Sequence, residues 1–98
     1  MRRGSTPTFR VNMPAHSSCF SDVTVVFVQN GNVILTIEHD FLTFEDYVLT
    51  FTLTEEQSFM FEAGHIAELQ LRAVTTLGQV LVSDIKQIAI MKKYPEDI

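Results

Sequence analysis

A soluble all-β sandwich, two antiparallel sheets packed face to face, is the fold this sequence predicts, and three observations predict it. Side chains alternate apolar and polar along several runs, tight-turn signals separate those runs, and no long helical period occurs anywhere. Each such strand has one apolar face to hide and no helix to hide it under, so a second sheet must cover it. The count is six to seven strands, with one short helical turn near residues 55–62.

Residues 1–5 read as a disordered leader, residues 6–93 as one domain and residues 94–98 as a loose tail. Thr6 to Met13 alternates, and Pro7, which cannot donate a ladder hydrogen bond, suits an edge strand. Pro14 to Ser18 is a loop. Asp22 to Gln29 is strongly β-branched and forms a strand, which Asn30-Gly31 joins to Asn32 to Glu38. Asn and Gly tolerate the positive φ of a two-residue hairpin loop, so this pair sets the register. Val33, Leu35 and Ile37 are expected on one face.

The segment from His39 to Asp46 is ambiguous: Phe41, Leu42 and Phe44 suit either a short strand or a plug at one end of the core. From Tyr47 to Thr54 the period is two, with Tyr47, Leu49, Phe51 and Leu53 inward and Thr50, Thr52 and Thr54 outward. Thr54-Glu55-Glu56-Gln57 has the spacing of a capping box, which predicts one or two turns of helix ending near Gly64, with Phe59 and Phe61 over the sandwich end. Along the next strand Ala67, Leu69, Leu71 and Ala73 point inward and Glu68, Gln70 and Arg72 outward. Leu77-Gly78 is a turn. Gln79 to Met91 follows as a last strand, with a bulge or kink expected at Ser83-Asp84.

Ninety-eight residues leave no room for a second domain, and a hydrophobic fraction of 46% supplies a Phe-rich core. The formal charge of −5 is spread along the chain, which argues against a nucleic-acid groove and its positive stripe. Arg2-Arg3 and Lys92-Lys93 are the basic clusters. No apolar run is long enough to cross a bilayer, so no membrane partner is expected. The lone Cys19 cannot form an internal disulfide, which favours synthesis in a reducing compartment, the cytoplasm.

Chemistry is sparse. His16, His39 and His65 are scattered, and His39-Asp40, the best acid–base pair, consists of neighbours that a strand would point to opposite faces. A solvent-contacting loop histidine is the expectation there. Cys19 has no base close in sequence and reads as a partly buried structural thiol. Asp22, Asp40, Glu45 and Asp46 lack the spacing of a calcium loop and read as solvated turn residues. No glycine-rich phosphate loop, GxSxG elbow or HExxH helix is present. Phe59-Met60-Phe61 suits a docking patch or a core cap, of which the cap is preferred. The reading is of a protein without catalytic, cofactor or metal residues.

Five elements carry a family resemblance: Arg3-Gly4-Ser5-Thr6-Pro7-Thr8, the Gln29-Asn30-Gly31 hairpin, Leu53-Thr54-Glu55-Glu56-Gln57, Gln70-Leu71-Arg72, and Ser83-Asp84-Ile85 before the final strand. With these the chain resembles small proteins encoded among the virion structural genes of phages and prophages of Gram-positive bacteria. It is also similar to the immunoglobulin-like N-terminal domain of phage baseplate upper proteins, which implies an immunoglobulin-like sandwich acting as an assembly module. The resemblance implies a bacterial cytoplasmic origin, virion association, and as partners other virion proteins or further copies of this chain. Where similar chains carry Asp-Gly in the last hairpin this one has Leu77-Gly78, and a leucine at a turn tip invites a contact.

The expected interaction surface is Thr8, Arg10, Thr50, Thr52 and Leu77: the first strand as an edge open to backbone pairing, the threonine-rich face beside it, and the last turn. The alternative is a carbohydrate-binding module on the same fold, for which Phe41, Phe44, Tyr47 and Asp46 are the candidates.

Overall fold

The computed structural model describes residues 1–82 and 85–91. Strands β1 (Thr8–Asn12), β4 (Thr43–Glu45) and β5 (Val48–Thr52) form a three-stranded sheet in the order β1-β5-β4. Strands β2 (Phe20–Gln29), β3 (Asn32–Ile37), β6 (Ile66–Thr75), β7 (Val80–Val82) and β8 (Lys86–Ala89) form the second sheet, in which β6 pairs with β2 on one side and with both β7 and β8 on the other. All these strand pairings are antiparallel. The all-β sandwich is the predicted class, with eight described strands rather than six or seven because the last segment pairs in two pieces.

Along β5 and β6 the inward rows are those the alternation predicts, and β2, expected only as a β-branched strand, also buries every second residue. Val23, Val25 and Phe27, Leu49 and Phe51, and Ala67, Leu69, Leu71 and Ala73 are all buried. Phe27 is fully buried, and its ring lies 5.6 Å from Phe9, 6.0 Å from Phe51 and 5.3 Å from Phe61. Tilted and edge-on rings at these separations gain about 0.5–1.5 kcal/mol per pair beyond their burial. Phe27 therefore ties β1, β5 and the post-helix loop to the five-stranded sheet.

Local turn chemistry follows the sequence in three places. Gln29 faces Asn32 across Asn30 (φ 55°) and Gly31 (φ 77°), the two-residue hairpin predicted. Thr54 caps α1 (Glu55–Ser58) with its hydroxyl on the Gln57 amide, and the Gln57 side chain returns to the Thr54 amide. One turn of helix results, with Phe61 buried over the core and Phe59 half-buried. Gly78 (φ 86°) closes the β6–β7 turn, in which its amide donates to the Thr75 carbonyl. β1 is an edge strand, as Pro7 suggested.

Four expectations are corrected. Val33 does not share the face of Leu35 and Ile37: the register slips between Phe27 and Val28, leaving Ile34 as an extra residue on β3 and Val33 64% exposed. Tyr47 does not point inward, because Asp46 (φ 50°) and Tyr47 form the β4–β5 turn and the ring is left exposed. The ambiguous 39–46 segment resolves into a 3-10 turn at His39–Phe41 followed by β4. The leader is not loose. The Arg3 amide donates to the Met91 carbonyl, the Met91 amide donates to Met1, and Arg3 Nε and Nη2 donate to the carbonyls of Phe61 and Phe59.

The expected kink at Ser83-Asp84 and the tail at 94–98 lie outside the described residues.

Gln29 is the buried polar side chain at the sandwich end. Its Nε2 donates to the Glu62 carbonyl at 2.9 Å and its Oε1 accepts from the Glu62 amide at 2.7 Å. Nothing in the local residue pattern signals this clamp. Substituting Gln29→Leu strands both Glu62 groups and should cost about 1–3 kcal/mol, read as a lower urea midpoint at unchanged slope. Phe27→Ala should cost about 3–5 kcal/mol by the same measurement, since three rings lose their common neighbour.

Candidate interaction face

Four of the five residues expected at an interaction surface come together. In the β1–β5 ladder Thr8 lies opposite Thr52 and Arg10 opposite Thr50. Thr43 on β4 faces Thr50 from the other side. These side chains share the outer face, because the residues between them, Phe9, Leu49 and Phe51, turn into the core. The Thr8 and Thr52 hydroxyls hydrogen-bond at 2.7 Å. The result is a flat patch of hydroxyls with one guanidinium. Leu77 stands apart: it is 88% exposed at the tip of the β6–β7 turn, on the other sheet.

The backbone of β1 extends this patch. The Leu53 amide donates to the Pro7 carbonyl and the Met13 amide to the Tyr47 carbonyl, so odd-numbered residues of β1 direct their main chain to β5. Thr8, Arg10 and Asn12 direct theirs the other way, where no described strand pairs with them. That edge opens onto a groove of about 590 Å³ between the sheets, lined by Val11 and Met13 from β1 and the loop after it, Leu69 and Leu71 from β6, and Leu81 and Lys86 from the last strands.

The groove was not anticipated from sequence. Its one signal was Val80-Leu81-Val82, an apolar run without alternation, which the structure leaves exposed at 51%, 41% and 58%. Leu81, opposite Ala73, faces the inner side and is open because the described three-stranded sheet ends at β1, whereas Val80 and Val82, opposite Val74 and Arg72, point to the outer face.

The remaining candidates are dispersed. His39 is half-buried, its Nδ1 accepting from the Val23 amide at 3.1 Å and its ring stacked on Phe44 at 5.0 Å, so it holds the 39–41 turn against β2 instead of meeting only solvent. Cys19 is exposed, not partly buried. Among the described residues no three His, Cys, Asp or Glu gather as a metal site. His16 lies 3.4 Å from Asp46 and edge-on to Tyr47 at 5.4 Å, an exposed cluster at the β4–β5 turn. Phe41 is 77% exposed on its own turn, and Phe44 is covered by His39. No helix is long and apolar enough to cross a membrane among the described residues.

Comparisons with family models, curated proteins and solved structures found no match to this chain.

The Thr8–Thr52 pair is exposed, so its hydroxyl bond adds little to folding. A double-mutant cycle with Thr8→Val and Thr52→Val should give a coupling of about 0.2–1 kcal/mol in chemical denaturation.

Proposed function

We propose that this chain is a non-catalytic assembly component of a phage tail or baseplate, prophage-encoded, with an immunoglobulin-like sandwich that works through protein–protein contacts. The observation that carries the reading is the union of the Thr8, Arg10, Thr50 and Thr52 face with a backbone edge on the same strand that no described strand pairs. A row of free amides and carbonyls is a template for another chain, and hydroxyls beside it add directional contacts at low desolvation cost. Arg10 supplies a fixed positive charge on a chain whose net charge is −5, which favours one orientation of an acidic neighbour. Repetition of weak contacts around a particle adds avidity. The ionisable pair His16 and Asp46 sits in water, where its attraction is weak and nothing concentrates it on a substrate.

A second reading, carbohydrate binding, draws on Tyr47, an exposed ring next to the Asp46 carboxylate and the His16 imidazole. It predicts glycan affinity lost in Tyr47→Ala, measured by calorimetry.

The test of the assembly reading begins with the genes beside this one. Tail or capsid genes are expected there, and co-expression of their products with this protein should give a joint peak in size-exclusion chromatography with light scattering. Arg10→Glu together with Thr50→Lys should abolish the joint peak while leaving the melting temperature within a few degrees. An operon of metabolic enzymes, or a monomer that binds glycan and none of its neighbours, overturns the reading.

A further inference from the structure

The two sheets are unequal, and the inequality has a shape. Beyond β6 the five-stranded sheet continues into β7 and β8, whereas the three-stranded sheet stops at β1. At the β8 end the chain supplies its own neighbour: the Met1 ammonium donates to the Ala89 carbonyl, Met1 and Arg3 bond Met91, and Ile88 and Ile90 are buried. At the β7 end nothing described does so, and Leu81 stays 41% exposed. Between Leu81 and β1 lies the groove, with an apolar floor from Leu69 and Leu71. Its wall is the side of β1 on which Thr8, Arg10 and Asn12 present main-chain groups that no described strand pairs.

A helix or an irregular loop satisfies only part of such a wall. An extended strand satisfies all of it, because its own amides and carbonyls repeat with the period that β1 presents, while every second side chain drops onto the floor. Lys86 selects the chemistry of those side chains. It pairs with Leu69, whose side chain is buried, so it faces the same inner side and lines the groove. Among the described residues no carboxylate lies beside its ammonium, and none of those that line the groove is acidic. An inward-pointing lysine at the border of an apolar floor discourages a purely apolar strand and favours one with a carboxylate at that position.

We propose that the groove between β1 and β7 accepts a strand from another protein. That strand pairs with β1 as the fourth strand of the small sheet, places alternate aliphatic side chains on Leu69, Leu71 and Leu81, and sets a carboxylate against Lys86. This deepens the assembly reading, on which its biological setting rests, by naming the partner element.

The probe is a synthetic nine-residue peptide alternating valine and threonine, with glutamate in place of one end valine, and its lysine counterpart. Wild-type protein should bind the glutamate peptide at least ten-fold more tightly than the lysine peptide in fluorescence anisotropy, and Lys86→Glu should reverse the order. Methylating the peptide amides that face β1 should abolish binding with the protein unaltered. Amide resonances of Thr8, Arg10 and Asn12 should shift on binding and exchange rapidly with solvent without peptide.

No binding at millimolar peptide, a preference indifferent to Lys86→Glu, or shifts elsewhere overturns the proposal. Slow exchange at the three amides in the free monomer assigns the groove to this chain's own residues 92–98. A dimer whose formation protects them assigns it to a second copy. Either result overturns the partner strand. Peptide binding without joint elution with virion proteins leaves the groove standing and removes the phage setting. Joint elution with no peptide binding does the opposite.

Discussion

The Phe27 ring is the contact through which the two sheets hold one another. It projects from near the end of β2, next to the Asn30-Gly31 hairpin, and meets Phe9 and Phe51 from the other sheet, with Phe61 closing over the end. Phe9 and Phe51 are themselves stacked across the β1–β5 ladder, at 5.2 Å. The small sheet is thus fixed by aromatic packing from its inner face, which lets its outer face be polar and its edge be unpaired without loss of the core. Non-directional burial provides the bulk of the driving force, and ring geometry selects one relative placement of the sheets.

Around that cluster the chain uses directional bonds where burial runs out. Gln29 clamps the Glu62 backbone at the end of the hairpin. His39 receives the Val23 amide where β2 leaves the bulge at Ser21, whose hydroxyl donates to the Val74 and Thr75 carbonyls. Arg3 threads to the Phe59 and Phe61 carbonyls with its guanidinium 5.0 Å over the Phe59 ring. Each satisfies backbone groups that the end of a sheet would otherwise leave bare, and each joins residues remote in sequence.

The asymmetry of the two sheets links this architecture to the proposed function. A three-stranded layer against a five-stranded one leaves an overhang, and one overhang is closed by the N-terminal residues while the other remains a groove. Closure at one end by main-chain pairing with Met1 and Arg3 illustrates, within the chain, the mode proposed for a partner at the other. The threonine-rich outer face of β1 and β5 adjoins the same edge, so face and groove present one continuous surface to an incoming chain.

A β-branched run over residues 22–29 and period-two alternation along residues 49–53 and 67–73, with Asn30-Gly31 and the Thr54–Gln57 capping box, were enough to dictate strands, a hairpin and a helix start, because these are local properties of φ/ψ preference and side-chain spacing. The same local logic placed Thr8, Arg10, Thr50 and Thr52 on strand faces turned to water. Pairing order, the extra residue at Ile34 that exposes Val33, the turn that exposes Tyr47, the docking of the leader and the open groove by Lys86 were decided only in three dimensions. Each depends on which strand lies beside or above another, and period-two spacing tells a strand which face is apolar without telling it what will cover that face.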